Sequence, residues 1–257
     1  MQQQLDLTDR VVVVTGGNSG LGLGMVEGLL EAGATVHVWG TNPTKNQAAA
    51  EGLSRFADRL TFDVVDVGDE ERVTEAMAAV ADERGRLDAC FNNAGIVNGF
   101  ATPRFVDSSL EDWRRITRVN LDGTYLVMRE AARHMIRFDN GGSLVGTSSL
   151  AANFGAPREE SYAASKAGVV AIMQSLAVEL GKYGIRANSL LPGWTMSAIT
   201  ETWTVESHAN ERILPRIPLR RWGRPDDWAG IAVYLASDAS SFHTGDSFTL
   251  DGGYSRF

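Results

Sequence analysis

The chain has one cysteine in 257 residues, Cys90. A lone thiol excludes an internal disulfide and a cysteine-based zinc site, and it fits a reducing compartment. Basic residues are the minority: 24 Lys and Arg against 32 Asp and Glu give a formal net charge of −8. The basic face that a nucleic-acid binder needs is therefore not supplied. His134 and His208 show no metal-ligand spacing, so no metal is expected. No apolar stretch of ~20 residues stands out, and no membrane-spanning helix is expected. Met1 to Arg10 is polar and lacks an apolar signal-peptide core, which points to a cytoplasmic location. No Pro/Gly/Ser-rich linker divides the sequence, so residues 1–257 are expected to form a single domain.

Hydrophobic residues make up 44% of the chain, enough to fill a substantial core. Short β-branched runs fall at Val11–Thr15, Thr35–Trp39, Leu60–Asp63, Ala89–Asn92, Ser143–Thr147, Arg186–Leu190 and Ser247–Leu250. Longer stretches with helical spacing separate them; in Leu21–Ala32, Leu21, Met25, Leu29 and Ala32 share one face. Strands such as Val11 to Val14 are apolar without alternation, as in a sheet buried on both faces. Alternating strand and helix predicts an α/β fold: a doubly wound, Rossmann-like parallel sheet with right-handed crossovers. Asp139 to Gly142 reads as a turn into a strand. Gly193 to Arg224 breaks the pattern with three tryptophans and two prolines. Residues 194–224 are read as a short lid insertion over substrate, with an extra packing helix pair as the alternative.

After the first strand comes Gly16-Gly17-Asn18-Ser19-Gly20-Leu21-Gly22 and then a helix. Glycine lets backbone approach a ligand, and a helix N-terminus offers N–H groups and partial positive charge to a pyrophosphate. Many glycine-rich turns are merely tight turns, but the position between first strand and first helix favours a nucleotide. No Lys-Ser/Thr follows, which disfavours an ATP phosphate site. The second strand ends Trp39-Gly40-Thr41-Asn42. Gly40 offers no carboxylate to a ribose 2′-hydroxyl, while Thr41, Asn42 and Lys45 are placed to meet a 2′-phosphate. NADP is therefore expected over NAD.

Tyr162 and Lys166 are four residues apart at the start of a helical run through Leu180, hence on one helix face. A phenol ordinarily titrates near pH 10, and a neighbouring ammonium lowers that value, so the pair is a plausible acid–base unit. Ser149 ends a strand 13 residues before Tyr162, at the edge where such folds place ligands. Asn92-Asn93-Ala94-Gly95 ends another strand, and Asn120 stands inside a helical stretch, where its amide competes for backbone bonds.

Together these segments resemble the short-chain dehydrogenase/reductase family in its compact single-domain form. The likeness runs from Arg10 to Gly253 through Thr15-Gly16-x-x-x-Gly20-x-Gly22, Asp63-Val64, Asn92-Asn93-Ala94-Gly95, Asn120, Ser149, Tyr162-x-x-x-Lys166, Pro192-Gly193, Thr244-Gly245 and Asp251-Gly252-Gly253. The resemblance implies an NAD(P)-dependent oxidoreductase that moves hydride between a nicotinamide and a carbonyl or secondary alcohol. It makes Tyr162 the general acid or base, with Lys166 lowering its pKa and holding the nicotinamide ribose. Ser149 would hydrogen-bond the reacting oxygen, and Asn120 would anchor a proton-carrying water. For the cofactor it implies contacts from Gly16, Asn18, Ser19, Gly20, Leu21 and Gly22. Asp63 and Val64 would meet the adenine, Asn92, Ala94 and Gly95 the adenosine ribose, and Pro192, Gly193 and Thr195 the carboxamide end. It also implies a homotetramer or homodimer, assembled through helices near Leu110–Arg137 and Tyr162–Leu180.

Substrate selection is expected from Ile96, Val97, Ala151, Asn153, Phe154, Trp194, Ile199 and Trp203, a mostly apolar set suited to an apolar ketone or secondary alcohol. Trp194 and Trp203 either touch substrate or pack on their own helix. Arg158, His208 and Arg212 either meet an anion or are solvated. Two other readings are an epimerase or dehydratase using a related Tyr–Lys pair, and a regulator that senses dinucleotide without turnover.

Overall fold

A computed structural model describes residues 2–97, 103–196 and 207–256. Seven strands, β1 (Val11–Thr15), β2 (Thr35–Trp39), β3 (Leu60–Asp63), β4 (Ala89–Asn92), β5 (Gly142–Thr147), β6 (Ile185–Pro192) and β7 (Ser247–Leu250), form one sheet in the order β3-β2-β1-β4-β5-β6-β7. Every neighbouring pair is parallel. The expected doubly wound sheet is thus present, with β5 and β6 longer than expected. The helices among the described residues are α1 (Gly20–Glu31), α2 (Pro43–Gly52), α3 (Glu70–Arg84), α4 (Leu110–Thr117), α5 (Gly123–Phe138), α6 (Glu160–Leu180), α7 (Ser207–Ile213) and α8 (Ala229–Ala236).

The unbroken valine run of β1 follows from burial on both faces. Val11 and Val13 belong to a core with Met77 of α3, Val127 of α5 and Met173 of α6. Val12 and Val14 belong to the opposite core, with Met25 and Leu29 of α1 and Ala232 of α8. Each such buried side chain contributes roughly 1.5–3 kcal/mol. From β1 the chain runs outward through β2 and β3, then returns to the other side of β1 for β4. That reversal opens a crevice at the C-terminal ends of β1 and β4, where open parallel sheets bind ligands.

The turn after α5 is as expected: Asp139 caps the helix in the left-handed region and Gly141 follows with φ 68°. The stretch from α4 to α5 is not one regular helix. Residues Arg118–Asp122 form a π-helical turn, in which Gly123 N–H donates to Arg118 C=O, and Asn120 sits inside it, fully buried. The 194–224 segment begins and ends at one place: Thr195 pairs with Gly223, and Gly223 N–H donates to Trp194 C=O at 2.9 Å. Ile199 and Trp203 lie outside the described residues, as does the His208 side chain.

One described helix, Glu160–Tyr183, is long and apolar enough to cross a membrane by length and composition alone. One face of it, through Val169, Met173, Ala177 and Leu180, is committed to the core against β5 and β6.

Candidate active site

A cavity of ≈ 600 Å³ opens at the C-terminal ends of the strands. Its floor is the turn between β1 and α1. Gly16 there has φ 64°, a conformation that side chains rarely adopt, and a Cβ on it would meet Ala94 Cα at 2.9 Å. Gly22 lies in the first turn of α1 and off the cavity wall; a Cβ on it would collide with Gly16 O and the Asn93 side chain. It thus makes room for the bond from Asn93 Nδ2 to Gly16 O, 3.1 Å, which closes the turn. Ser19 is the N-cap of α1 but makes no side-chain cap bond, so its hydroxyl does not claim the helix's first amides. Gly16, Asn18, Ser19, Gly20 and Leu21 all line the cavity, as expected of a phosphate cradle.

At the end of β2 the wall is Trp39, Gly40, Thr41, Asn42 and Lys45. Asn42 Oδ1 accepts from Lys45 N–H at 3.0 Å and caps α2, with Pro43 following. Asn46, one turn into that helix, is buried and went unnoticed in the sequence. It accepts from Asn18 Nδ2 at 2.6 Å and donates to the carbonyls of Gly40 and Asp63, each at 3.3 Å. A Cβ on Gly40 would strike the Asn18 amide and lie 2.6 Å from Asn46 Oδ1, so the bridge fills the space a side chain there would need.

The expectation for Asp63 and Val64 is corrected. β3 ends at Asp63, whose carbonyl takes Gly40 N–H at 3.1 Å, and Val64 is 52% exposed. Neither lines the cavity; Val65, Asp66 and Val67 do. The Asp-Val pair occurs twice in the sequence, and the second copy is carried over the strand ends. Asp66 accepts from Arg118 at 2.7 Å and from Gly68 N–H at 2.9 Å. Burial acts to raise its pKa, and these two donors together outweigh that, so the net shift is downward.

Asn92 is likewise corrected. It is buried under the wall, accepting from Thr15 Oγ1 at 2.9 Å and donating to Thr124 Oγ1 at 2.7 Å. Its neighbour Asn93 lines the cavity, with Ala94, Gly95, Ile96 and Val97.

Ser149, Tyr162 and Lys166 converge on the far end, beside Pro192, Gly193 and Thr195. Lys166 is buried; its Nζ donates to Thr147 O at 2.8 Å and lies 5.7 Å from the centre of the Tyr162 ring. Burial pushes its amine down to about 8. Burial also pushes the Tyr162 phenol above its ordinary value, a hydrogen bond with Ser149 lowers it, and the charge of Glu159 raises it again. The lowering expected from Lys166 therefore comes instead from Ser149: the amine reaches past the ring to a backbone carbonyl. Asn120 lies behind the pair and off the wall. Its Oδ1 accepts from Ile96 N–H at 2.8 Å, and its Nδ2 donates to Ile96 O at 2.9 Å and Ser165 Oγ at 3.2 Å.

Two features of this end went unread in the sequence. Glu159, one turn before Tyr162, is pushed up to about 7 by burial and then by Glu160, and its Oε2 is buried without a hydrogen-bond partner. Thr147 Oγ1, on the wall beside Lys166, is also buried and unpartnered, the state of a group that a bound hydroxyl would satisfy. With the glycine cradle, this orphaned hydroxyl fits a dinucleotide laid from Gly16 to Thr147. Of the expected substrate contacts, Ile96 and Val97 line the cavity, whereas Ala151, Asn153 and Phe154 do not. Trp194 stacks edge-on against Trp222 at 5.8 Å and Tyr254 at 6.3 Å, the packing alternative for that residue.

Residues 16–255 match the family described as enoyl-(acyl carrier protein) reductase. The chain is 35% identical to a 3-oxoacyl-(acyl-carrier-protein) reductase from Chlamydia pneumoniae, over 97% of this chain and 98% of that protein. It is 34% identical to an L-rhamnose 1-dehydrogenase (NAD(P)(+)) from Sphingomonas sp. (strain SKA58), over 96% of each. Its fold is similar to a short-chain type dehydrogenase/reductase from Mycobacterium marinum, with TM-score 0.91, 31% identity and 98% of each chain covered.

Proposed function

The chain belongs to the short-chain dehydrogenase/reductase family, and from that premise we propose that it is an NAD(P)-dependent oxidoreductase interconverting a small carbonyl compound and a secondary alcohol. The observation that carries this reading is the meeting of Ser149, Tyr162 and Lys166 at one end of a cavity whose other end is a glycine cradle. The nicotinamide, when bound, supplies or accepts the hydride. Tyr162 gives its hydroxyl proton to the carbonyl oxygen in reduction and takes it back in oxidation. Ser149 hydrogen-bonds the phenol and the reacting oxygen. Lys166 offers Nζ protons to ribose hydroxyls. The Asn120 side chain is committed to Ile96 and Ser165, so its share in holding a water falls to its main-chain carbonyl. Asp66 and Val67 take the adenine role first expected of Asp63 and Val64.

NADP is the preferred cofactor in this reading. Its support is the absent carboxylate at Gly40, the Asn18–Asn46 bridge that leaves no space for one, and Lys45 on the wall. Ile96 and Val97 favour an apolar ketone or secondary alcohol, and residues 194–224 serve as the lid. A homotetramer or homodimer is supported by apolar side chains exposed on helices α4, α5 and α6, including Leu110, Tyr125 and Val178; sedimentation as a monomer at working concentration would remove that part. The same reading places the enzyme in the cytoplasm, which cell fractionation checks. The deciding experiment follows NADPH and NADH oxidation against a ketone panel. Substrate-dependent turnover with kcat/KM at least ~10-fold higher for NADPH is expected. Nucleotide binding without turnover would support a sensor, and strong NADH preference would refute the cofactor assignment.

A further inference from the structure

Thr124 is the second residue of α5, just beyond the π-helical turn, and is 1% exposed. Its hydroxyl donates to Asn120 O at 2.7 Å. Helical threonines often bond the carbonyl four residues back, and Thr74 and Thr117 do so here on exposed faces. Thr124 differs in having a second partner from another element: Asn92 Nδ2 donates to its Oγ1 at 2.7 Å.

That bond makes Thr124 the middle of a buried chain. At one end Thr15 Oγ1 accepts the N–H groups of Asn93 and Ala94, at 3.1 and 3.0 Å, and gives its single proton to Asn92 Oδ1. At the other end Asn120 Nδ2 donates to Ser165 Oγ, and Ser165 Oγ donates to Tyr162 O at 2.7 Å. Each hydroxyl has one proton and uses it once, so the direction of the chain is fixed from the cofactor floor to the catalytic helix. Thr15, Asn92, Asn120, Thr124 and Ser165 are all buried, which makes any missing member costly. A π-turn holds one residue more than a regular turn, and its geometry is not set by the helix alone. Thr124 is the group that ties it to β4.

We propose that Thr124 is a positioning residue: its hydroxyl sets the depth of the Asn120 turn and so couples the nucleotide floor to the placement of Tyr162. This rests on the oxidoreductase reading above for its kinetic consequence, and on geometry alone for its structural one. The test compares Thr124→Val, which keeps shape and removes the hydroxyl, with Thr124→Ser, which keeps the hydroxyl. In Thr124→Val, amide hydrogen exchange should rise at residues 118–124 and also in the separate segments 93–96 and 161–166, while Thr124→Ser matches the parent. kcat should fall about tenfold or more and nucleotide KM should rise at least about twofold, because residues 93–96 line the nucleotide cavity. Should Thr124→Val not fold, Thr124→Ala carries the same comparison. Exchange confined to 118–124, or a lower Tm with parental kcat, would overturn the proposal. A parent chain inactive on every carbonyl would instead count against the oxidoreductase reading, and the exchange data would still decide the role of Thr124.

Discussion

Replacing Lys166 by Met should make the protein more stable and catalytically poor. Lys166 is 4% exposed, and burial brings the pKa of its amine from 10.5 to about 8. That gap corresponds to roughly 3 kcal/mol by which the fold disfavours the charged amine relative to the unfolded chain. Methionine removes the penalty and keeps most of the volume. Against it stands the lost bond from Nζ to Thr147 O, about 1–2 kcal/mol including the stranded carbonyl. The net gain is ~1–2 kcal/mol, or ~2–8 °C in Tm for a domain of this size. The pH dependence follows from the unfolded state holding the proton more tightly than the folded one. Below pH 8 both states are charged and the full penalty operates; between about 8 and 10.5 the folded amine is neutral and the penalty fades. The advantage of the variant should therefore be largest at pH 7 and shrink toward pH 10. Urea unfolding at fixed protein concentration and without added nucleotide measures it. A variant no more stable than the parent at pH 7, or a difference that does not narrow as pH rises, would refute the reasoning.

Glu159→Gln should behave with the opposite pH trend. The carboxyl is pushed up from 4.5 to about 7 by burial and then by Glu160, so its ionised form destabilises the fold fully only above that value. After allowance for solvent screening of a half-buried group, the variant should be ~1 kcal/mol more stable at pH 8 and equal to the parent near pH 4.5; a constant difference across that range would contradict this. The corrected adenine contact is checked by nucleotide affinity. Asp66→Asn should weaken NADPH binding several-fold, about 1 kcal/mol, whereas Asp63→Asn should leave it unchanged, and the reverse pattern would restore the first assignment.

The first strand was legible because a strand buried on both faces needs an unbroken apolar run, and Val11–Val14 is one. Asn120 was conspicuous for the same kind of reason: an amide within a helix must find partners, and it finds Ile96 and Ser165. What sequence could not supply was reach. Four-residue spacing puts Tyr162 and Lys166 on one face, but the length of the lysine side chain carries Nζ to Thr147 O rather than to the phenol oxygen. The Asp-Val pair was ambiguous because only the path of the chain beyond β3 selects the copy at the cavity. Asn46, Glu159 and Thr124 had no signal at all. Each is an ordinary polar residue in a helix or at its start, and its role depends on partners 17 to 32 positions away or on burial that only the fold provides.

Tyr162→Phe removes the hydroxyl that transfers the proton and leaves the ring in place. NADPH affinity should stay within about twofold of the parent while kcat for carbonyl reduction drops by ~10²–10⁴. Turnover near the parental rate in that variant would contradict the account at its centre.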